Sequence, residues 1–276
     1  MSDAVLSPTG KILRQWRAAR AKSQLDLAMD AGISPRHLSF VETGRSTPSR
    51  EMLVLLSGVL DVPLRERNTL LQAAGYAPLY RETALDAPAM EQVNRAIGCI
   101  LHAHTLSPAV VVNRRYDVLR ANAAASLLTS ATATMKNAKP KPTNLLRLLL
   151  SPDCLRPAIE NWDEVSGAIL HRLQREALIW GSEDDDLQSL LNELSIRDQN
   201  RLIPGVDWTR SPDVVIPLRI RIDRMRLSLF STITTLGTPC DITLQELRVE
   251  AFHPADQATE KTLAQLLEQA QRDSPK

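Results

Sequence analysis

Residues 34–45, SPRHLSFVETGR, combine side chains that can read base-pair edges with side chains that can hold phosphate. Arg36 carries a forked guanidinium that fits O6 and N7 of guanine, and Phe40 can touch the methyl group of thymine. Gln24, at the start of the preceding helix, and Arg45, just past the reading helix, are placed for phosphates. The candidate DNA contacts are therefore Gln24, Ser34, Pro35, Arg36, His37, Ser39, Phe40 and Arg45.

Other roles stay open for single members of this set. An exposed arginine such as Arg36 can also bind a phosphate or remain solvated, and His37 is better placed for backbone than for bases. Phe40 can serve packing instead of apolar readout. Glu42 is expected to order the fold or to pair with a neighbouring arginine.

Two short helices joined by the residues GIS are needed to present this face. Gly32 can take the positive φ that such a turn requires, and Ser34 can cap the second helix with Pro35 in its first turn. Leu38 and Val41 of the second helix then face the protein core, and the opposite face of this helix is exposed. The first helix lies across the DNA backbone while the second enters the major groove.

The elements around this pair are short and helical. Apolar residues at helical spacing predict five helices within residues 9–76. Thr9 is the predicted cap of the first of these five, and Ser23 caps the second, which is the helix that precedes GIS. The stretch 77–90, APLYRETALDAPAM, has two prolines and weak periodicity, which places a linker at residues 79–90. The predicted domains are a helix-turn-helix domain at 1–78, this linker, and a second domain at 91–276.

The charge of the chain is concentrated at its start. Residues 1–50 hold eight Lys and Arg against four Asp and Glu, a balance of +4, whereas the whole chain carries +1. The remaining residues therefore sum to −3. A basic module on a near-neutral body is typical of a domain that faces phosphate.

The second domain mixes strands and helices. Two strands joined by a turn at Arg114–Arg115 are predicted in PAVVVNRRYDVLRAN, with Asn122 capping the helix that follows, and residues 130–142 are predicted as a loop. Helices are expected from Asn144 to about residue 195 and from about Gln257 to Ala270. Three later strands are predicted in VVIPLRIRID, RMRLSLFSTITT and DITLQELRVEAF, with Pro217 favouring an edge or the start of a strand. The polar positions of these strands predict a solvated sheet face: Arg219, Arg221, Arg226, Glu246, Arg248 and Glu250.

Motifs for catalysis and metal binding are missing from the sequence. There is no GxSxG, GxxxxGK[ST], GxGxxG or HExxH, and His102 and His104 would point to different faces of a helix. The run EDDD at 183–186 indicates a solvated loop or the acidic start of a helix. We therefore expect no enzyme, no cofactor and no metal.

Location follows from cysteines and apolar stretches. Cys99, Cys154 and Cys240 are far apart and odd in number, which disfavours a disulfide framework. The first residues lack the apolar core of a signal peptide, and no stretch approaches 18 uncharged apolar residues. We expect a cytoplasmic protein without a membrane partner.

The segment SQLDLAMDAGISPRHLSFVETGRSTPS resembles the Cro/repressor-type helix-turn-helix of the xenobiotic-response-element (XRE) regulators. The resemblance covers about a quarter of the chain and agrees at many fixed positions. It implies binding to a double-stranded DNA operator. A homodimer is expected because one such module contacts too few bases for useful specificity, and paired half-sites multiply it.

The rest of the chain resembles the PAS-like ligand-binding domain of MmyB-like transcription regulators. The blocks that carry this are PAVVVNRRYDVLRANAAA, NLLRLLLSPDCLRPAIENWDEV and LGTPCDITLQELRVEAFHPAD, followed by TE. The resemblance implies a cavity between a sheet and its covering helices for a small hydrophobic effector, a fatty acid being one candidate.

Arg147 is the charge expected to reach inward to a ligand carboxylate, with an exposed position or a pair with Asp163 or Glu164 as alternatives. The candidate ligand contacts are Leu145, Arg147, Leu148, Leu149, Trp162, Val165 and Ile169, although an apolar stripe of this kind is usually core.

The predicted architecture is therefore a multi-domain chain of α and α+β class. A five-helix helix-turn-helix bundle precedes a PAS-like domain with an antiparallel sheet covered by helices. The predicted function is a DNA-binding transcription regulator whose second domain senses the effector and modulates operator binding. Two alternatives are a second domain that recruits a protein without any small ligand, and an enzyme with an autoregulatory DNA-binding head, which the missing motifs disfavour.

Overall fold

A computed structural model of the chain describes residues 7–133, 144–180, 189 and 215–273. These residues form two compact units. The first unit contains described residues 7–83, 174–180 and 238–245. The second contains described residues 84–173, 189, 215–237 and 246–273. Two short stretches from late in the chain thus pack with the helical head, which the sequence did not indicate.

Five helices lie within the first 83 residues of the first unit, as predicted. They are α1 (Pro8–Ala19), α2 (Gln24–Asp30), α3 (Pro35–Glu42), α4 (Arg50–Val59) and α5 (Leu64–Ala73). In each of the first four, a serine hydroxyl accepts from the backbone N–H three residues later; the capping serines are Ser7, Ser23, Ser34 and Ser49. The predicted cap at Thr9 is wrong, because Ser7 caps α1, Pro8 takes its first position and Thr9 is buried.

Leucines at the inward positions of these helices form the core of the first unit. Leu38 is fully buried and Val41 nearly so, which confirms the predicted inner face of α3. The other fully buried leucines are Leu13, Leu27, Leu53, Leu56, Leu60 and Leu70.

Gly10 allows α1 and α3 to approach closely. A Cβ atom at this position would lie 2.2 Å from the carbonyl oxygen of Glu42 and 3.0 Å from that of Val41. Both oxygens belong to the last turn of α3, so the absence of a side chain at Gly10 fixes where α3 ends relative to α1.

One antiparallel sheet of five strands organises the second unit. Its strands are β1 (Ala109–Val112), β2 (Val118–Ala121), β3 (Leu218–Ile222), β4 (Met225–Thr235) and β5 (Arg248–Pro254), in the order β2-β1-β5-β4-β3. The hairpin of β1 and β2 and the edge position of the strand after Pro217 are confirmed. Asn122 accepts from the N–H of Ala125 and caps the next helix as predicted.

The third predicted strand is only half right. Residues Ile242–Glu246 form the short helix α10, and the strand begins at Arg248. The reason is local, because the Asp241 carboxylate accepts from the N–H of Thr243 and starts a helical turn.

Further helices flank the sheet. They are α6 (Glu91–Ala103), α7 (Ala123–Ala133), α8 (Leu145–Leu150), α9 (Trp162–Trp180) and α11 (Gln257–Asp273). Helix α7 extends to Ala133, beyond the predicted start of a loop at 130, and the rest of that stretch lies outside the described residues. The EDDD run and most of the predicted helical stretch after Trp180 also lie outside them.

Candidate nucleic-acid interface and effector domain

The turn between α2 and α3 is fixed by backbone hydrogen bonds. Gly32 has φ +65°, its N–H donates to the carbonyl of Met29, and the N–H of Ile33 donates to the carbonyl of Ala28. This pair of bonds is a Schellman motif, which satisfies the last carbonyls of a helix and needs a left-handed residue, usually glycine. The sequence GIS therefore ends α2 and begins α3 within three residues.

The outer face of α3 is accessible to an external partner. Ser34, Pro35, Arg36 and Arg45 are exposed. Gln24, His37, Ser39 and Phe40 are half-buried. Five of the eight predicted DNA contacts thus lie on α3, and the other three are its cap Ser34, Gln24 at the start of α2, and Arg45 after α3. Their individual contacts with DNA stay predictions.

Two arginines on this face lie near the ring of Phe40. The guanidinium carbon of Arg36 is 5.3 Å from the centroid of the Phe40 ring, and that of Arg45 is 6.0 Å from it. Arg45 reaches this place because Gly44, at φ +73°, ends α3 and lets the Arg45 N–H donate to the Phe40 carbonyl. Helical spacing does not predict the contact between Arg45 and Phe40, because residue 45 lies beyond the helix.

Glu42 ties α1, α2 and α3 together. Its carboxylate is buried and accepts from Arg17 Nε at 2.7 Å and Nη2 at 3.0 Å, and from Gln24 Nε2 at 2.7 Å. The hydrogen bond to Glu42 raises the pKa of Arg17. The prediction that Glu42 pairs with an arginine is confirmed, and the same carboxylate orients the Gln24 amide, which keeps a second N–H for a phosphate.

The predicted ligand contacts lie on α8 and α9. Leu145, Leu149, Val165 and Ile169 are buried, and Leu148 and Trp162 are half-buried. Trp162 Nε1 is a buried donor that meets no acceptor among the described residues. Arg147 is exposed on α8, as one of the two alternatives for this residue stated. Its contact with a ligand stays a prediction.

The predicted solvated sheet face is wrong for three of its six residues. Arg219, Arg221 and Arg226 are exposed, as expected of the edge hairpin. Glu246, Arg248 and Glu250 are buried, at 8%, 7% and 3% exposure. Glu246 ends helix α10 and is not part of a strand. The first five residues of β5 are all buried, so both faces of this strand are covered, and alternation of polar and apolar residues alone cannot reveal that.

These buried charges form a cluster with residues of other elements. Arg172 Nη1 on α9 is 2.9 Å from Glu250 Oε1, and the guanidinium groups of Arg172 and Arg248 lie 5.3 and 4.9 Å from the centroid of the Tyr116 ring. Tyr116 is 1% exposed, and its φ of +65° is rare for a residue with a side chain. Backbone strain of this kind is common where a side chain must be aimed at a ligand or a buried network.

A second polar contact group surrounds His253 on β5. Its ring lies 5.3 Å from that of His104, its Nδ1 is 3.2 Å from Ser107 Oγ, and its Nε2 is 2.9 Å from Thr232 Oγ1. Burial, and then the charge of His104, lower the pKa of His253. The sequence showed His253 as isolated, because its partners are distant in the chain.

No group of three or more His, Cys, Asp and Glu side chains among the described residues could hold a metal ion. Within the same residues no helix has both the length and the apolar character needed to cross a bilayer.

Comparison with known proteins follows the same division of the chain. Residues 13–67 match a helix-turn-helix family, and residues 93–266, more than half of the chain, match the MmyB-like transcription regulator ligand binding domain. The "Uncharacterized HTH-type transcriptional regulator RghRB" of Bacillus subtilis (strain 168) is 36% identical over 83 residues, which are 30% of this chain and 58% of that relative. The chain thus spans less than two thirds of the relative's length. Both predicted resemblances are confirmed, and the chain belongs to the MmyB-like transcription regulators, which join a DNA-binding helix-turn-helix of the XRE type to a ligand-binding domain.

Proposed function

We propose that this protein is a one-component transcription regulator that binds operator DNA as a homodimer and responds to a small hydrophobic effector. The observation that carries the DNA-binding part is the division of α3, whose inner residues Leu38 and Val41 are buried while Arg36 is exposed. Base-reading side chains must extend beyond the protein surface to enter the major groove. The three described cysteines are free, which fits the reducing cytoplasm where such a protein would work.

A homodimer follows from the size of the reading surface. One helix of eight residues presents only a few side chains to base edges, and each well-placed bidentate contact discriminates by about 1–3 kcal/mol. Two copies on half-sites about one helical turn apart add their contributions. We therefore propose an operator with two-fold symmetry.

The effector site is proposed between the sheet and the helices α8 and α9. The apolar side chains of α8 and α9 would hold the tail of the effector: Leu145, Leu148, Leu149, Trp162, Val165 and Ile169. Arg248, the first residue of β5, and Arg172, which also pairs with Glu250, lie beside Tyr116 and supply positive charge where a carboxylate would be stabilised. A fatty acid combines these two chemistries, and Arg147 remains the second candidate for its carboxylate.

The first experiment tests both parts on the full chain. Protein purified without added ligand is examined by native mass spectrometry for a bound molecule, and selection from random duplexes determines the operator. We expect a two-fold symmetric sequence and a bound amphipathic molecule. Absence of any selected sequence would overturn the DNA-binding assignment, and an empty protein that also fails to bind dodecanoate would favour a domain that recruits a protein instead.

Variants then assign the carboxylate. Dodecanoate and dodecanol share their chain and differ in the charged group, so a basic residue that contacts the carboxylate changes the ratio of their affinities. Arg248→Met is expected to lower dodecanoate binding and to spare dodecanol. If Arg147→Ala shows this effect and Arg248→Met does not, the carboxylate lies at α8.

A further inference from the structure

We propose that the chain between β4 and β5 transmits the state of the sheet to the DNA-binding helices. This stretch, Thr238–Gln245 (the coupling segment), joins two neighbouring strands of the sheet, yet it packs within the compact unit that contains α1 to α5. Its role depends on the effector-controlled operator binding proposed above. The coupling segment is the part of the chain that would carry this control.

The first attachment is at the start of α5. Gln245 Oε1 accepts from the backbone N–H of Leu64 at 2.7 Å. Leu64 is the first residue of α5, and Pro63, at the N-cap position, offers no side-chain cap. A helix leaves its first N–H groups without intrahelical partners, so Gln245 supplies a cap that α5 lacks locally.

The second attachment is to the chain that follows α5. Asp241 Oδ2 accepts from Thr83 Oγ1 at 2.6 Å, and Asp241 Oδ1 is 3.3 Å from the Thr83 N–H. The N–H of Ile242 donates to the carbonyl of Arg81 at 2.8 Å, and Ile242 is buried. Asp241 also starts α10, so one helical turn carries both attachments.

The last residue of this helical turn contacts the hairpin of β1 and β2. Glu246, the residue after Gln245, has its Oε1 3.8 Å from Nη1 of Arg114 in the turn between β1 and β2. Thr235 and Arg248 form the last pair of the β4–β5 ladder. The coupling segment lies in the loop that links these two residues. Arg248 and Glu250 lie directly beyond it on β5, within the buried charged cluster.

This arrangement gives an effector a short route to the DNA-binding unit. A molecule that enters the cluster changes the charges around Arg248. Gln245, in α10, lies only three residues before Arg248 in the chain, and Leu247 is the single residue between the helix and the strand. Regulation requires the effector to favour one arrangement of the attachments over another. A coupling segment that holds α5 in one arrangement and releases it in the other meets this requirement.

The experiment measures operator dissociation constants of the full chain with and without dodecanoate. In the wild type we expect dodecanoate to change the operator Kd at least threefold. In the variant Asp241→Ala/Gln245→Ala the two Kd values should become equal, while dodecanoate still binds as it does to the wild type. Gln245→Glu keeps an acceptor for the Leu64 N–H, so it should retain the wild-type ratio.

Asp256→Ala is the matched control. Asp256 Oδ1 accepts from the Thr259 N–H at 2.7 Å and caps α11, so this substitution removes the same kind of carboxylate outside the coupling segment. Its Kd ratio should equal that of the wild type. A double variant that keeps the wild-type ratio overturns the role of the coupling segment and leaves effector control of the operator intact.

A second readout needs no effector. Arg114→Met perturbs the sheet beside Glu246, and we expect it to change the operator Kd at least threefold in the wild-type background but not in Asp241→Ala/Gln245→Ala. Equal changes in both backgrounds, or none in either, overturn the role of the coupling segment. If dodecanoate has no effect on the wild type, the fatty-acid assignment fails by itself, and this cycle still decides whether the coupling segment connects sheet and operator.

Discussion

The guanidinium of Arg36 lies over the ring of Phe40, with 5.3 Å between the guanidinium carbon and the ring centroid. Arg45 approaches the same ring to 6.0 Å. One aromatic side chain therefore neighbours both the arginine expected to read a base and the arginine expected to hold a phosphate. The attraction between each guanidinium and the ring restricts the arginine side chains before DNA is bound. The two arginines therefore lose less conformational entropy on binding.

Phe40→Ala should weaken operator binding although Phe40 carries no charge. Each exposed cation–π contact contributes about 0.5–1 kcal/mol, so loss of two predicts a rise in operator Kd of about 5- to 30-fold. Fluorescence anisotropy with a labelled operator measures this change. Phe40→Leu, which keeps apolar bulk without a ring, should be impaired, and Phe40→Trp should not be. Wild-type affinity of Phe40→Leu would reduce Phe40 to an apolar contact.

Arg36→Ala should weaken binding to the operator and change the preferred base sequence. If Arg36 binds guanine bidentately, its loss costs about 1–3 kcal/mol and relaxes the preference at one base pair, because the discriminating contact is gone. Selection from random duplexes measures that preference. Arg36→Lys keeps the charge but not the fork, so it should also lose the preference.

Arg45→Ala should weaken binding to all sequences alike. A phosphate contact releases counterions, so its loss also flattens the dependence of log Kd on log salt by about 0.9 per contact. Titrations at several salt concentrations, on operator and on unrelated duplex, give this slope. A loss confined to the operator would move Arg45 from the phosphates to the bases.

The helical head could be predicted in detail because its signals are local. Ser23 and Ser34 as caps, Gly32 at the turn and Leu38 and Val41 as the inner face all depend on residues within a few positions of each other. The cap of α1 was misplaced by two residues, since Ser7 and Thr9 are both good caps and only tertiary packing buries Thr9.

The interior of the second domain could not be predicted in the same way. Arg248 and Glu250 occupy polar positions of an alternating strand, and they are buried because both faces of β5 are covered, which depends on residues distant in the chain. The bond between Gln245 and Leu64 joins residues 181 positions apart. Local periodicity carries no information about contacts of that kind.

Gly10→Ala should destabilise the helical head. A Cβ atom 2.2 Å from the Glu42 carbonyl oxygen forces α1 and α3 apart, and overpacking of this kind costs about 1–3 kcal/mol. Gly58→Ala in α4 is the matched control, since no atom lies within 4 Å of a Cβ there and alanine favours a helix by about 1 kcal/mol. Thermal unfolding should thus give Tm shifts of opposite sign, and shifts of the same sign would contradict the close approach.

His253 should make the sheet domain less stable in mild acid. Its pKa is lowered by burial and by His104, so below its ordinary value of about 6.5 the unfolded chain takes up the proton before the folded chain does. The contribution of His253 to stability is therefore complete above that pH and decreases as the pH falls toward the lowered pKa. His253→Gln can keep hydrogen bonds to Ser107 and Thr232 without titrating, so Tm should change less between pH 7.5 and 5.5 in this variant. His171→Gln, at an exposed position of α9, controls for the loss of a histidine, and an equal effect of both substitutions would show that the environment of His253 does not matter.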